Sequence, residues 1–217
     1  AVAHIINYDS MAKIIGNGST PGAAPFPPSA KLGYDTIANK ATTDVAKADQ
    51  ILTQAGYAKN ANGVYAKDGK ELSLTLAVWG KDTSMYEEIQ QELKQAGINV
   101  TLKKLQSPDE VDTLGTDGFD LVERNVITMS TNDPYWFLSL FYKSGAKANV
   151  GGYTNPQVDA LIDRLSVTFD QNERSNIARQ AQQILVDDVA DIYLLYPSAT
   201  VVSTAKVKNV PVHPIDY

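Results

Sequence analysis

The chain has 217 residues, of which 43% are hydrophobic and 20% charged, with a formal net charge of −6 and no cysteine. This composition is typical of a globular protein with a sizeable core, and no apolar run approaches the roughly 20 residues that span a bilayer. An acidic chain without a block of Lys or Arg is unsuited to binding nucleic acid, and a chain without Cys has no disulfide, thiolate zinc site or cysteine nucleophile.

The first 56 residues predict two helices joined by an extended segment. Apolar residues at helical spacing indicate an opening helix over residues 1–15, which begins without an N-cap and without the charged region of a signal peptide. Residues 19–30 contain four prolines and are expected to be extended. Asp44 is expected to cap a second helix, which Gly56 terminates. One face of this helix is expected to be buried, and it comprises Val45, Ala48, Ile51, Leu52 and Ala55.

The middle of the chain predicts a hairpin followed by a strand–helix–strand unit. Asp68 and Gly69 form a typical two-residue turn within residues 64–72. Alternating apolar residues predict a strand over 72–78, a helix over 86–96 that Gly97 stops, and a second strand over 98–105. The connection is long enough for a right-handed crossover, so we expect the two strands to be parallel.

The remaining sequence predicts one further strand and several helices. Ser107 and Glu110 are spaced as a capping box at a helix start. A third strand is expected over 119–127, where Glu123 and Arg124 indicate a sheet edge. Helices are expected over 135–142, 157–169 and 171–189, and β segments over 192–196 and 200–203. The alternation of strands and helices predicts an α/β sandwich built on a mixed sheet.

Polar and aromatic residues follow the third predicted strand without a nucleophile, metal cluster or phosphate cradle. Ligands of open α/β sheets bind beyond the carboxyl ends of the strands, so this stretch indicates a recognition surface. Asp133 is expected to cap the helix that begins at Pro134, and Trp136 is expected to lie in the core. The residues expected to contact a ligand are Trp79, Thr128, Met129, Ser130, Thr131, Asn132, Tyr135 and Tyr153.

No catalytic, cofactor or metal site is predicted. His4 and His213 lie near opposite ends of the chain without a third ligand in view. Asp187, Asp188 and Asp191 follow one another at the end of an amphipathic helix, which indicates a solvated face. The serines form no Gly-x-Ser-x-Gly elbow.

The order of these features resembles the family 5 extracellular solute-binding proteins, the receptors of peptide and nickel ABC importers. The resemblance rests on an ordered set of segments rather than on one motif. These segments are AVAHIINYD at 1–9, YD at 34–35, AKADQILTQAGY at 46–57, ELKQAGI at 92–98, NDP at 132–134, GYTNP at 152–156 and VKNV at 207–210.

The resemblance implies that residues 1–217 are the carboxy-terminal lobe of a larger, two-lobed receptor with the type II periplasmic-binding-protein fold. It implies three partners, namely a small-molecule or peptide ligand, an N-terminal lobe of the same receptor and an ABC permease in the membrane. It also implies an extracellular or periplasmic location, with membrane anchoring through a lipidated segment upstream of this chain.

The specificity residues of the family are absent here. Dipeptide receptors carry an Asp at the position of Ser130, and a hydroxyl cannot supply the negative charge that a buried ammonium needs. Nickel receptors carry a Trp at the position of Thr128 and a His at that of Ala146, and the family's common Trp is replaced by Ile127. The sequence therefore does not identify the solute. Two alternatives also stay open: a small hydrolase that uses Ser130 and Asp133, and a non-transport interaction domain on the same fold.

Overall fold

The computed structural model describes residues 1–115, 118–129, 133–198, 203–204 and 206–208. The chain divides into two compact units, each made of two chain segments. Unit 1 comprises Ala1–Ile14 and Ala41–Asn125, and unit 2 comprises Ile15–Lys40 and Val126–Tyr217. None of the helices in the described residues has the length and apolar character that a bilayer crossing requires.

Unit 1 begins with two short helices where the sequence predicts one. Helix α1 covers Val2–Ile5 and α2 covers Tyr8–Ile15, because Ile6 is extended (ψ 131°). The side chain of Asn7 accepts a hydrogen bond from the Ser10 backbone N–H at 3.0 Å, and its own N–H donates to Glu92. Asn7 therefore acts as an internal N-cap that restarts the helix.

Helix α3, Val45–Gln54, is capped as expected but buries less than expected. The Asp44 carboxylate accepts from the Lys47 backbone N–H at 2.9 Å, which confirms the predicted cap. Of the predicted face only Ala48 and Leu52 are buried, whereas Val45 and Ile51 are exposed. Helix α3 packs against α1, and the buried part of its surface is narrower than the sequence pattern indicates.

The main sheet of unit 1 has three parallel strands in the order β6–β5–β7. Strand β5 is Ser73–Val78, helix α4 is Ser84–Ala96, and β6 is Asn99–Lys104, so the predicted parallel crossover is confirmed. Strand β7 is only Leu121–Val122. The predicted strand over 119–127 is therefore wrong in extent, and Glu123 lies after the strand, not within it.

Two other predictions on unit 1 have opposite outcomes. The hairpin is confirmed, with β3 at Tyr65–Lys67 and β4 at Lys70–Glu71, and β2 at Ala58–Lys59 adds a third antiparallel strand. The capping box is wrong, because helix α5 begins later, at Glu110–Leu114, with Asp109 as its N-cap. The Glu110 carboxylate instead accepts from the Gln106 N–H at 3.1 Å.

In its described residues, unit 2 is built mainly from three α-helices that share one core. Helix α6 is Pro134–Phe141, α7 is Pro156–Val167 and α8 is Gln171–Asp187, close to the predicted bounds. A short antiparallel pair, β1 at Thr20–Pro21 and β8 at Leu195–Tyr196, completes the unit. The α/β class is thus confirmed, with parallel pairs in one sheet and antiparallel pairs in two others. The buried core residues include Phe26, Phe137, Leu138, Ile162, Leu165, Ile177 and Leu185.

The proline-rich segment is held on unit 2 by side chains. Gln182 of α8 is fully buried, accepts from the Phe26 N–H at 3.3 Å and donates to the Leu32 carbonyl at 2.9 Å. The Tyr196 hydroxyl accepts from the Ala24 N–H at 3.0 Å. These bonds satisfy buried backbone groups that have no partner in a ladder.

Candidate functional site

The carboxyl ends of the three parallel strands lie at one edge of the unit 1 sheet. Trp79 directly follows β5 and is partly buried, and Gly80 then takes a left-handed conformation (φ 89°) that suits a residue without a Cβ. The Glu123 N–H donates to the Ala77 carbonyl at 2.9 Å, so Glu123 directly follows β7 at the same edge. This is the position at which open α/β sheets bind ligands.

Glu123 is the polar group of this edge that sequence reasoning did not select. Burial raises the pKa of its carboxyl group, while hydrogen bonds from the Tyr86 hydroxyl and the Trp79 N–H act in the opposite direction. Its Oε2 atom is buried without a hydrogen-bond partner. The sequence predicts a sheet edge from Glu123 and Arg124, and β7 is an outer strand of the described sheet, but that prediction does not identify the Glu123 carboxyl as a polar group of the site.

In unit 2, the predicted site surrounds the start of α6. Asp133 is the N-cap, with its Oδ1 atom accepting from the Tyr135 N–H at 2.7 Å, and Pro134 occupies the first helical position. Both features were predicted. Thr128 and Met129 are partly buried, and Met129 packs against the unit 2 core. The three predicted contacts between them and Asp133, namely Ser130, Thr131 and Asn132, lie outside the described residues.

Tyr135 and Trp136 form an aromatic surface on the first turn of α6. Each is 37% exposed, so the prediction that Trp136 lies in the core is wrong. The Trp136 ring instead contacts Phe141 edge to face, with 6.0 Å between the ring centroids. Half-exposed aromatic rings of this kind offer apolar area together with a polar edge to a ligand.

Tyr153 lies in the same unit, but its hydroxyl already has a partner. It donates to Asp188 Oδ2 at 2.6 Å, and Asn155 Nδ2 donates to the same oxygen at 2.8 Å. Burial, followed by this hydrogen bond, raises the pKa of Tyr153. A ligand contact by Tyr153 would therefore use its ring, which packs against the core beside Tyr142.

Asp187, the last residue of α8, and the following Asp188 and Asp191 are exposed, as the sequence predicts, and each also accepts a hydrogen bond from another side chain. Asp188 accepts from Tyr153, Asp187 accepts from Asn39 Nδ2 at 2.9 Å, and Asp191 accepts from the Tyr142 hydroxyl at 2.5 Å. Burial raises the pKa of Tyr142 well above its ordinary value. These carboxylates are structural hydrogen-bond acceptors, because each binds a side chain from another segment of unit 2.

The described residues give the hydrolase and metal interpretations little support. Ser130 and His213 lie outside them, and the Asp133 carboxylate is engaged by its own helix and by Arg174. His4 Nδ1 lies 2.9 Å from the Thr42 carbonyl oxygen. Within the part of the chain that the structure describes, no group of three or more His, Cys, Asp or Glu is placed to hold a metal ion.

Two open grooves on unit 1 contain none of the predicted contacts. One, of about 410 Å³, lies along the hairpin sheet, and the other, of about 820 Å³, lies between α4 and the edge strand β6. Both are lined mainly by polar and charged side chains. Ligand sites are usually concave and mostly apolar, so we assign no ligand to either groove.

Comparison with known protein families gives one match over most of the chain. Residues 1–149 match the family described as bacterial extracellular solute-binding proteins, family 5, middle part. The nickel-binding protein NikA of Staphylococcus aureus is 29% identical over all of this chain and 44% of its own length. The probable D,D-dipeptide-binding periplasmic protein DdpA of Escherichia coli is 28% identical over 99% of this chain and 40% of its own length.

Solved structures share the fold. A nickel ABC transporter structure from Bacillus halodurans superposes on 90% of this chain and 41% of its own length, with a TM-score of 0.78 and 23% identity. NikA of Staphylococcus aureus in complex with Ni(L-His)2 superposes on 89% of this chain and 40% of its own length, with a TM-score of 0.73 and 24% identity. The chain thus spans less than half the length of the relatives that it matches.

Proposed function

The chain belongs to the family 5 bacterial extracellular solute-binding proteins, and on that basis we propose that it is one lobe of an ABC-importer receptor. In this proposal a small polar solute, such as a peptide or a nickel complex, is held between residues 1–217 and a second, N-terminal lobe. The observation that carries the proposal is the family match over residues 1–149. The matched region includes the predicted contact Trp79, which directly follows β5, and the predicted contacts between Thr128 and Tyr135.

The chemistry of the candidate contact residues within the described part of the chain supports binding rather than catalysis. Thr128 offers a hydroxyl, Met129 a polarizable sulfur, and Tyr135 and Trp136 offer half-exposed rings. None of these groups is an activated nucleophile, and the relatives are named for what they bind. We therefore propose that the chain is not an enzyme.

A single lobe is expected to bind its solute weakly. Ligand pockets bury about 70–90% of a small ligand's surface, which one face of an open lobe does not provide. In a two-lobed receptor, solute contacts with both lobes favour the closed state over the open one, and only that difference in affinity drives closure. The proposed partners are accordingly the second lobe, the solute and an ABC permease that recognises the closed receptor.

Neither solute class is favoured by the residues at the specificity positions. Ser130, Thr128 and Ala146 occupy the places where an amine-binding Asp or a nickel-associated Trp and His would stand. The relatives include both nickel-binding and peptide-binding proteins. The proposed solute class therefore stays broad.

Calorimetric titration tests this proposal with two proteins and two probes. The full-length receptor and the 217-residue chain are each titrated with Ni(II) plus two equivalents of L-histidine, and with a mixture of short peptides. We expect the full-length receptor to bind one probe at least about a hundredfold more tightly than the isolated chain. Sub-micromolar binding by the chain alone would contradict the half-site arrangement.

The proposed location is outside the cytoplasmic membrane, anchored through a lipidated segment upstream of residue 1. The relatives include proteins named as periplasmic. Fractionation of cells that express the full-length gene, with and without an inhibitor of lipoprotein processing, tests the anchor. Recovery of the protein in the cytosolic fraction would contradict it.

A further inference from the structure

We propose that Arg174 is a positioning residue for this binding site, an inference that rests on the proposed function. Its guanidinium holds the Asp133 carboxylate at the start of α6. It thereby fixes the orientation of the helix turn that carries Tyr135 and Trp136, two aromatic side chains offered to the solute. Arg174 lies 41 residues from Asp133 in sequence, in another helix.

The guanidinium of Arg174 joins three segments of unit 2. Its Nη1 donates to the carbonyl oxygens of Leu165 and Thr168, where α7 ends. Its Nη2 donates to Asp133 Oδ2, where α6 begins, and Arg174 itself stands in the first turn of α8. The side chain is 12% exposed, so it is largely withdrawn from water. A planar, rigid fork of donors is suited to this kind of bridging.

The two oxygens of the Asp133 carboxylate have different roles, one in the helix cap and one in this ion pair. Oδ1 accepts from the Tyr135 N–H, while Oδ2 accepts from Arg174. Rotation of the carboxylate toward a ligand would break both bonds together. Pro134 between these residues has a fixed φ and no N–H, so the backbone that leads into α6 has little freedom.

A second ion pair between neighbouring helices provides a matched comparison. Arg164 and Glu173 form a 3.0 Å pair, but their side chains are 53% and 51% exposed. Exposed pairs contribute little to stability, whereas removing one partner of a largely buried pair leaves an uncompensated charge. Of these two pairs, the Arg174–Asp133 pair is the one that is largely buried and that bonds to the predicted recognition segment.

The ion pair also determines which solute groups this segment suits. With Arg174 on its carboxylate, Asp133 is not available as an anchor for a ligand ammonium. The predicted contacts Thr128, Met129 and Tyr135 are uncharged, and so is the exposed Trp136 beside them. The part of the solute that faces the start of α6 is therefore neutral. It is an aromatic or apolar group that can also hydrogen-bond to a hydroxyl.

The first experiment measures local order without any ligand. Asp133→Asn retains a good N-cap side chain but removes the charge that pairs with Arg174, and Glu173→Gln removes the acid of the exposed pair. We expect Asp133→Asn to accelerate amide hydrogen exchange at Tyr135, whose N–H bonds to Asp133, and at Leu138 in the next turn of α6 at least about tenfold, with exchange inside α8 unchanged. Glu173→Gln should change neither region by more than about twofold. Equal exchange at α6 in Asp133→Asn and wild type would overturn the proposal.

The second experiment measures binding by the full-length receptor, with the nickel–histidine and peptide probes. Asp133→Asn should weaken binding of the recognised probe at least about fivefold, and Glu173→Gln should not. Unaltered affinity in Asp133→Asn would refute the positioning role even if exchange had increased. If the wild-type receptor binds neither probe, the proposed function fails for these solutes, while the exchange measurement still decides the role of Arg174 within unit 2.

Discussion

The backbone conformation of Val189, immediately after α8, can be tested by substitution. Its φ of 51° is in the left-handed region, which β-branched residues rarely adopt. The surrounding hydrogen bonds form a Schellman motif, since the Ala190 N–H donates to the Leu185 carbonyl and the Val189 N–H to that of Val186. Glycine usually occupies this position, so we predict that Gly is preferred to Ala here.

The expected magnitude follows from three opposing contributions. A left-handed residue with a Cβ costs about 1–2 kcal/mol, and glycine costs about 0.5–1 kcal/mol in unfolded-state entropy. Val189 is 56% exposed, so either substitution also loses about 1 kcal/mol of apolar contact. Most of that loss cancels when Val189→Gly is compared with Val189→Ala, because both variants lack the two γ-methyl groups of Val189. The remaining difference favours Gly by about 0.5–1 kcal/mol.

Val167 provides the matched control, because it is the last residue of α7, is 70% exposed and has ordinary helical geometry. There Gly should be less stable than Ala by about 0.5–1 kcal/mol. Urea unfolding of the four variants, followed by Trp136 fluorescence in a Trp79→Phe background, reports on unit 2. The same sign of the Gly–Ala difference at both positions would refute the left-handed assignment of Val189.

Three further predictions concern pH dependence, the proline-rich segment and the core. Burial raises the pKa of the Tyr8 hydroxyl to about 12, above its ordinary value of 10. The protonated hydroxyl therefore stabilises the folded state fully below pH 10, and this stabilisation is lost as the pH rises to 12. Tyr8→Phe should therefore flatten the fall in urea-unfolding free energy over that range, by at most about 1.4 kcal/mol per pH unit. Gln182→Leu leaves two buried backbone groups unpaired, at about 1–3 kcal/mol each. Gln182→Leu should therefore accelerate thermolysin cleavage within residues 22–40. Gln183→Leu should have a smaller effect, because the two hydrogen bonds between Gln183 and the Ala38 backbone are exposed to water. Leu185→Ala, at a fully buried position, should lower the free energy of unfolding by about 2–5 kcal/mol, and Leu140→Ala, at a part-exposed one, by less than half as much.

Local sequence patterns predict those helix caps, turns and strand connections that depend on residues close together in the chain. The Asp44 and Asp133 caps, the turn at Asp68 and Gly69 and the crossover between β5 and β6 depend on residues a few positions apart or on simple periodicity. The helix break at Asn7 also has a local cause. The sequence nevertheless predicts one continuous helix there, because the apolar residues around Asn7 keep helical spacing. An Asn side chain competes with the helix for backbone donors, and here the Asn7 N–H also binds Glu92.

Long-range contacts account for what the sequence did not reveal. The position of residues 22–40 depends on Gln182 and Tyr196, which are more than 140 residues away in the chain. The burial of the α3 face and the exposure of Trp136 depend on which other helices pack there, and periodicity does not specify that. At the site, Asp133 was predicted as a cap, but its partner Arg174 has no sequence relation that identifies it.

Four carboxylates of unit 2 bear on the kind of solute that the proposed receptor would bind. Asp133 accepts from Arg174, Asp187 from Asn39, Asp188 from Tyr153 and Asp191 from Tyr142. A ligand cation that took over any of these would have to replace an existing hydrogen bond, and the cost is expected to be largest at Asp133, whose partner Arg174 is only 12% exposed. Under the proposed function, these four carboxylates are therefore poor anchors for a solute cation. If the receptor carries a charged solute, the countercharge comes from groups other than these four carboxylates.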